Sequence, residues 1–138
     1  MKKKPVDRSK IGRSSRQKGK AFERRCRSVI AKISRHPHWR RTEAGHEQHK
    51  GDLIACDATG RVTQEVWDKD CSKWYVECKT RGVICLSELK NWIALCQEKA
   101  PADDWVLLFK QTRGPVFAMF GVNVEIVENE LGPFFVIE

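Results

Sequence analysis

The sequence predicts one α/β domain over residues 16–138, preceded by a basic arm. Three observations carry this prediction. A helix pattern runs from about Arg16 to Arg35. A strand pattern rich in aromatic and β-branched residues follows at Lys73–Lys79. A second helix pattern at 87–100 then leads into short apolar runs, and 138 residues is the usual size of a single domain.

The positive charge is concentrated at the start of the chain. Residues 1–41 hold sixteen Lys or Arg and only two acids, a net charge of +14, whereas the remainder has a net charge of −6. Such a block attracts polyanions by releasing their counterions, so nucleic acid is the first expected partner and an anionic membrane the second. A merely solubilising tail stays open as the alternative. Residues 1–15 lack apolar periodicity and are interpreted as a flexible basic arm.

The first predicted helix has one apolar stripe with basic residues opposite. The stripe consists of Phe22, Cys26, Val29, Ile30 and Ile33. Glu23 lies on the shoulder of this stripe, where a carboxylate is partly buried at the edge of the domain. Glu23 is therefore the unusual residue of this helix.

The segment from His36 to Gly51 is polar and is expected to be loop or irregular extended chain. A short strand is predicted at Asp52–Cys56, and the strand at Lys73–Lys79 should lie beside it. Ser87 is a candidate N-cap for the second helix, which Pro101 closes.

The C-terminal third contains two apolar runs that are short enough for strands, at Trp105–Phe109 and Val116–Phe120. Residues 122–138 alternate acidic and apolar residues and are expected to form an edge strand or an interface. Six cysteines are spread singly without a close pair, so they are most simply free thiols rather than a zinc or disulfide scaffold.

Four residues suggest a catalytic site. Glu77 and Lys79 are two apart on a predicted strand and so share one face, while Asp52 converges on them if its strand pairs alongside. Mg²⁺ prefers a few carboxylates together with waters and substrate phosphate oxygens. A lysine beside such an ion can orient or deprotonate the attacking water. Taken singly, each of these residues, Glu23 included, is more often an ordinary surface or turn residue.

The joint pattern resembles the PD-(D/E)xK nuclease superfamily, most of all archaeal Holliday-junction resolvases and related phage-encoded endonucleases. The resemblance covers about residues 16–120. It consists of Arg16-Gln-Lys-Gly-Lys-Ala-Phe-Glu23-Arg, Lys50-Gly-Asp52-Leu-Ile-Ala and Trp74-Tyr-Val-Glu77-Cys-Lys79-Thr, followed by a helix and the Val106–Phe109 strand.

This resemblance implies a restriction-endonuclease-like αβββαβ core, with a mixed central sheet flanked by helices. It implies a DNA endonuclease in which Asp52, Glu77 and the Cys78 backbone carbonyl bind Mg²⁺, for which Mn²⁺ would substitute. Lys79 would activate water, and Glu23 would complete the site directly or through a water. Gly51 stands where the family has a proline, and we expect a looser turn there. The insertion Ala58–Ser72 has no role that the sequence reveals.

The expected substrate is DNA, branched DNA such as a Holliday junction above all. Because junction resolution needs two symmetric cuts, a homodimer is expected, with Val106–Phe109, Val116–Phe120 and Phe134–Ile137 as apolar interface candidates. The expected phosphate contacts are Lys10, Arg13, Arg16, Lys18, Lys20, Arg24, Arg27, Arg40, Arg41 and Arg81. The start of the chain lacks the apolar core of a signal peptide, and no apolar run is long enough to cross a bilayer. A cytoplasmic location, in a prokaryote or a phage-infected host cell, is therefore expected.

Several alternatives stay open. A general or single-strand nuclease of the same fold, an inactive DNA-binding module, and a basic anti-host or packaging protein all fit the composition. His46-Glu47-Gln48-His49 lacks the two-residue spacing between the Glu and the second His that a zincin needs. The four histidines could ligate zinc or manganese, although loop histidines more often contact phosphate or do nothing. Trp92 and Trp105 could stack on bases, but core packing is the favoured interpretation.

Overall fold

The protein folds around one six-stranded mixed sheet with a long helix on one face and a shorter helix on the other. The computed structural model describes residues 8–42, 51–100, 102, 104–121, 124 and 134–136, with side chains described from residue 19 to residue 124 within those ranges. The elements are α1 Arg8–Ser34, β1 Trp39–Arg41, β2 Leu53–Ala55, α2 Gln64–Trp67, a 3₁₀ turn Asp70–Lys73, β3 Tyr75–Arg81, α3 Leu86–Lys99, β4 Trp105–Gln111, β5 Phe117–Phe120 and β6 Phe134–Val136.

The strands lie in the sheet in the order in which they occur in the chain, β1 to β6. The β1–β2 and β2–β3 pairs are antiparallel, and Leu53 lies opposite Val76 in the second of them. β3 and β4 pair in parallel over seven residues, with α3 as the crossover between them. β5 is antiparallel to β4, and β6 is parallel to β5. The predicted α/β class and mixed sheet are therefore confirmed.

Alternation along β3 and β4 divides the core into two halves. Even-numbered residues such as Val76 and Leu108 pack with the apolar stripe of α1. Odd-numbered residues such as Tyr75 and Leu107 pack with Trp92 of α3. Because neighbouring residues of a strand face opposite sides, α1 and α3 cover opposite faces of the sheet.

Two element predictions were wrong in detail. α1 begins at Arg8 rather than near Arg16, so residues 8–15 of the expected flexible arm are helical. This stretch contains Gly12 and three serines, which are weak helix formers, so it is helical as an extension of the amphipathic helix that follows it. β1 lies inside the segment that was expected to be irregular, because pairing with β2 holds its three residues in a strand.

The helix ends also differ from expectation. Cys85 rather than Ser87 is the N-cap of α3. α1 ends at Ser34, and Arg35 follows it in the left-handed conformation, with φ of 56°. Glycine or asparagine usually occupies this position after a helix. The Ser34 hydroxyl donates to the Ile30 carbonyl at 2.7 Å and thereby satisfies one carbonyl of the last turn.

Many of the apolar residues expected at a dimer interface are buried in the core of the chain itself. Val106, Leu107 and Leu108 are fully buried, and Phe109 is nearly so. In β5, Ala118 and Phe120 are also buried in this way. The interface candidates at Val106–Phe109 and Val116–Phe120 thus mainly form the core of the protein itself.

The insertion Ala58–Ser72 is folded onto the domain. It contains α2 and the start of the 3₁₀ turn, and its Val66 and Cys71 are buried in the same core half as α1. Within the part of the chain that the structure describes, no helix is both long and apolar enough to span a membrane.

Candidate active site

The strand β3 presents a paired carboxylate and ammonium. Glu77 and Lys79 point to the same face, and the Lys79 ammonium lies 3.2 Å from Glu77 Oε1. Glu77 is only 7% exposed. A buried carboxylate is costly unless it is paired and hydrogen-bonded, and the Lys79 ammonium supplies this pairing for Glu77.

Tyr75 is a third member of this face that the sequence analysis did not single out. Its hydroxyl donates to Glu77 Oε2 at 2.7 Å. Burial, followed by the bond to the Glu77 carboxylate, raises the pKa of the Tyr75 phenol well above its usual value. Tyr75 therefore stays protonated as a donor. The signal was in the sequence, since Tyr75 precedes Glu77 by two residues on the same strand.

Asp52 reaches the same region from the start of β2. Its carboxylate Oδ2 accepts a hydrogen bond from the Cys78 backbone N–H at 2.8 Å. Its own backbone N–H donates to the Val76 carbonyl at 2.7 Å, and its carbonyl accepts from the Thr42 N–H at 3.0 Å. Asp52 is thus held at both backbone and side chain against Glu77-Cys78-Lys79.

Gly51 permits the approach of Asp52 to β3. A Cβ atom on Gly51 would lie 2.7 Å from the Val76 carbonyl oxygen and 2.8 Å from the Val76 nitrogen. Real Cβ atoms essentially never approach other atoms so closely. The position is therefore a tight backbone contact rather than the looser turn that we expected, and any residue with a Cβ there would have to displace the Val76 backbone.

The electrostatics place three acids in one neighbourhood. Partial removal from water raises the pKa of Asp52 above its usual 3.8, and the hydrogen bond from Cys78 N–H opposes this shift. The negative charges of Glu77 and Glu23 raise it further, whereas the positive charge of Lys79 lowers it. Burial is thus the main cause of the raised pKa, and the two neighbouring carboxylates add to it more than Lys79 offsets.

Glu23 lies on α1, which covers the face of the sheet opposite Glu77 and Lys79, and its negative charge acts on Asp52. Its side chain is 19% exposed and forms a long ion pair with Arg27, 3.5 Å from Arg27 Nη2 to Glu23 Oε1. Cys26, which is buried and lies three residues after Glu23 on α1, contacts the thiol of Cys78 on β3. This contact, followed by burial, raises the pKa of Cys78 well above its usual value. Contact between these two small side chains holds α1 close to the strand that bears Glu77 and Lys79.

Oxygen donors for a hard cation converge from two strands. In a ladder the N–H and C=O of one residue point to the same neighbouring strand. The Cys78 carbonyl is therefore directed to the side from which Asp52 approaches. Among the residues that the structure describes, no three His, Cys, Asp or Glu side chains lie close enough together to hold a metal. Asp52, Glu77 and the Cys78 carbonyl still offer the few oxygen ligands that Mg²⁺ takes when water and phosphate complete its shell.

The expected phosphate contacts fall into three groups. The side chains of Lys10, Arg13, Arg16 and Lys18 lie outside those described, although their backbone belongs to α1. Lys20, Arg24 and Arg41 are exposed. Arg81 is engaged within the chain, because its Nε donates to Glu88 at 2.7 Å and its guanidinium lies over the Trp92 ring.

Arg27 and Arg40 line a common groove on the outer side of α1. The groove has a volume of about 570 Å³ and lies between the second half of α1, the chain that enters β1, and the turn after β2. Lys32, which the sequence analysis did not single out, and His38, one of the four histidines considered there, also line it. Only the folding of β1 against β2 brings these residues together, so local sequence patterns could not reveal the groove.

The competing histidine interpretations have mixed outcomes. His36 is buried, with Nε2 2.6 Å from the Cys56 carbonyl and Nδ1 3.3 Å from the Lys69 ammonium. Since a carbonyl only accepts and an ammonium only donates, Nε2 carries the proton and Nδ1 accepts, so His36 is a structural residue. His46 and His49 lie outside the described residues. Trp92 and Trp105 are buried, so the core-packing interpretation is confirmed.

Comparisons with protein-family models, with curated proteins and with solved structures find no match to this chain.

Proposed function

We propose that this protein is a divalent-metal-dependent nuclease that hydrolyses DNA phosphodiester bonds. One observation carries the proposal. The Asp52 carboxylate bonds at 2.8 Å to the backbone N–H between Glu77 and Lys79, although 26 residues separate Asp52 from Cys78. Two carboxylates and a lysine on neighbouring strands are what metal-assisted phosphodiester hydrolysis needs. The order αβββαβ of the main elements up to β4 supports a restriction-endonuclease-like core.

The residues of the site have distinct roles in this proposal. Asp52, Glu77 and the Cys78 carbonyl would hold Mg²⁺ or Mn²⁺, and the oxygen donors that these residues offer support this fit. Such an ion, when bound, polarises the phosphodiester and lowers the pKa of a bound water. Tyr75 orients Glu77 by donating to Oε2. Lys79 would orient or deprotonate the attacking water, and Glu23 would act from α1 through a water.

DNA is the favoured substrate because of the basic charge. The charge of +14 over residues 1–41 lies in and around α1, which also carries Glu23. Phosphate contacts of this kind give affinity for the polymer and position it without reading its sequence. Branched DNA is the finer proposal, and a homodimer would supply the paired cuts that a junction requires. The exposed surface that would join the two copies is not the β4 surface, which is buried.

Nicking of supercoiled plasmid tests the proposal. Wild-type protein with Mg²⁺ or Mn²⁺ is expected to convert the plasmid to the open circle, and EDTA should abolish this conversion. Ca²⁺ should support it poorly, because it is larger and holds its ligands in looser geometry. A matched preparation of Glu77→Gln controls for contaminating nuclease. Full activity in EDTA, or equal activity of Glu77→Gln, would contradict the proposal.

A gel that compares substrates tests the finer proposal. Four-way junction, flap, single strand and linear duplex of shared sequence are offered at equal concentration with Mg²⁺. Preferential cutting of the junction, in symmetric pairs, is expected from a dimeric resolvase. Equal cutting of all four would instead identify a general nuclease, and binding without any cutting an inactive DNA-binding module.

A further inference from the structure

Three side chains on one face of β3 are joined by contacts, with Glu77 in the middle. The Tyr75 hydroxyl donates to Glu77 Oε2 at 2.7 Å, and the Lys79 ammonium lies 3.2 Å from Glu77 Oε1. Tyr75 precedes Glu77 by two positions and Lys79 follows it by two, so they approach the carboxylate from opposite directions along the strand. Each carboxylate oxygen of Glu77 therefore has a different partner within the chain.

Tyr75 is the firmly held partner of Glu77. It is buried, and it packs in the same core half as Trp92 and Cys96 of α3. Its backbone N–H donates to the Asp104 carbonyl at 2.8 Å. A tyrosine side chain has only two rotatable angles, so the packing of the ring also fixes the position of the hydroxyl. Glu77 Oε2 is thus bonded to a group that cannot readily move away.

Lys79 is the more loosely held partner. Its side chain is 27% exposed, compared with 9% for that of Glu77. A lysine ammonium lies at the end of a flexible four-carbon stem. It can therefore leave Glu77 Oε1 without any movement of β3. A cation that approaches Glu77 would replace the ammonium at Oε1 more easily than the phenol at Oε2.

The bond from Tyr75 limits the ways in which Glu77 can bind a cation. Ca²⁺ binds carboxylates through one or both oxygens in a flexible shell, whereas Mg²⁺ demands a near-ideal octahedral shell. An oxygen that already accepts a short hydrogen bond has less capacity left for a cation. Glu77 is thus suited to binding through Oε1 alone. This mode of binding favours a small octahedral ion.

We propose that Tyr75 is a positioning residue that determines cation specificity, because it restricts Glu77 to binding through one oxygen and so favours Mg²⁺ and Mn²⁺ over Ca²⁺. The presence of a metal site rests on the proposed function, whereas the restraint on Glu77 rests on the contacts of Tyr75. Tyr75 acts through Glu77 alone. Loss of a partner that orients a metal ligand typically costs about 10-fold to 100-fold in metal affinity.

Cation binding without DNA tests this inference. Isothermal titration calorimetry gives the Kd for Mn²⁺ and for Ca²⁺ with wild type and with Tyr75→Phe, which keeps the ring and removes only the hydroxyl. The ratio of the Ca²⁺ Kd to the Mn²⁺ Kd should fall by about tenfold in Tyr75→Phe, mainly through weaker Mn²⁺ binding.

Ser72→Ala is the matched control, because it also removes a buried hydroxyl. The Ser72 hydroxyl lies 2.8 Å from the Trp67 carbonyl and 2.7 Å from the Lys69 carbonyl, within the insertion. Its loss should lower stability and leave the ratio of the two Kd values as in wild type. A general loosening of the fold is thereby separated from an effect on Glu77.

A second measurement needs no substitution of Tyr75. Tyr75 is the single tyrosine of the chain, so fluorotyrosine incorporated throughout the protein labels this position alone. The fluorine NMR signal should shift as Mg²⁺ is added until the site is saturated, and this shift should be absent in labelled Glu77→Gln. The inference thus stays testable even if Tyr75→Phe does not fold.

The outcomes separate this inference from the proposed function. An unchanged ratio in folded Tyr75→Phe, an equal change in Ser72→Ala, or a fluorine signal that does not respond to Mg²⁺ would overturn the inference. Such a result together with EDTA-sensitive nicking would retain the nuclease. A lower ratio in Tyr75→Phe of a protein that never nicks plasmid would reject the nuclease and retain the role of Tyr75. Wild type that binds neither cation would reject both.

Discussion

The two ends of β2 bear polar clusters that differ in how well they are balanced. Just after the strand, the Cys56 carbonyl accepts from His36 Nε2–H, and Lys69 donates to His36 Nδ1. Each polar atom of the His36 ring there has one suitable partner. Just before the strand, Asp52 lies near two other carboxylates with Lys79 as the one nearby ammonium that affects its pKa. The first cluster is complete within the chain, whereas in the second the carboxylates of Glu77 and Glu23 add to the effect of burial in raising the pKa of Asp52.

This difference distinguishes a structural cluster from a candidate functional one. Both contain buried ionisable residues, and burial by itself would not tell them apart. Matched donors and acceptors stabilise the fold. A surplus of one charge costs stability and persists where it serves a purpose such as metal binding.

The largest expected effect comes from substitution in the cluster of Asp52, Glu77 and Lys79, just before β2. Asp52→Asn, Glu77→Gln and Lys79→Ala should each reduce the cleavage rate by about 10²-fold to 10⁴-fold, because their groups act on the reacting atoms. DNA affinity should change little, since phosphate contacts elsewhere supply it. Single-turnover cleavage and anisotropy in EDTA measure the two effects separately. A wild-type rate in any one variant would remove that residue from the site.

Disruption of the His36 cluster just after β2 should affect stability instead. His36→Ala leaves the Cys56 carbonyl without its donor and should lower the free energy of unfolding by about 1–3 kcal/mol. Urea denaturation measures this loss, with the exposed His38→Ala as a control that should stay within about 0.5 kcal/mol of wild type. At urea concentrations too low to unfold the protein, the cleavage rate of His36→Ala should match that of wild type. A lower cleavage rate in fully folded His36→Ala would mean that His36 has a role beyond structure.

A substitution at Gly51 joins the two kinds of effect. Gly51→Ala forces a methyl group against the Val76 backbone and should cost about 1–3 kcal/mol, as overpacking usually does. Because Asp52 is the next residue, the same shift should also reduce cleavage. Gly19→Ala is the matched control, since a Cβ there meets no atom within 4 Å. Normal stability and rate in Gly51→Ala would mean that the Asp52 region adapts freely.

The smallest expected effect is a pH-dependent gain in stability. The pKa of Asp52 is raised in the folded protein. Asp52 therefore contributes stability below its unfolded pKa of about 3.8 and loses that contribution as pH rises through the folded value. Asp52→Asn should raise Tm by a few degrees at most at neutral pH, and by nothing below pH 3.8. Thermal melts across this pH range in EDTA measure the difference.

Asp57→Asn provides a control whose effect on Tm at neutral pH should have the opposite sign. The Thr59 hydroxyl and the Arg61 and Thr59 backbone N–H groups lower the pKa of Asp57, the hydroxyl contributing most. Its charged form stabilises the fold above its unfolded pKa, and that contribution is lost as pH falls. Asp57→Asn should therefore lower Tm at neutral pH. The same sign of change in both variants would contradict the contrast in their environments.

Local patterns predicted the central elements but not the peripheral ones. The amphipathic part of α1 and the strand at Glu77 were predicted because one periodicity extends over many residues. β1 was not predicted, because three residues are too few to show a periodic pattern. Their strand conformation depends on pairing with β2. The start of α1 at Arg8 was missed because residues 8–15 have no apolar stripe and contain Gly12 and three serines, which are weak helix formers.

The candidate site was likewise predictable in composition but not in its supporting contacts. Spacing on a strand predicted that Glu77 and Lys79 share a face, and their 3.2 Å contact confirms it. Asp52 joins them through a backbone N–H, which every residue but proline possesses, so no residue type could signal that bond. The contact of Cys26 with Cys78 depends on how α1 docks. A buried β4 was equally compatible with the apolar pattern that suggested an interface.

The position of β3 within the sheet has a kinetic consequence. β3 pairs with β4 over seven residues and is covered by both helices, whereas β2 joins β3 at the single Leu53–Val76 register position. Local opening should therefore detach β2 from β3 far more often than it separates β3 from β4. Amide hydrogen exchange would then be slow at Leu107 and Leu108 and faster at Leu53. Such an opening would have to break the bonds of Asp52 to Val76 and Cys78, and it would remove one carboxylate while Glu77 and Lys79 stay on β3.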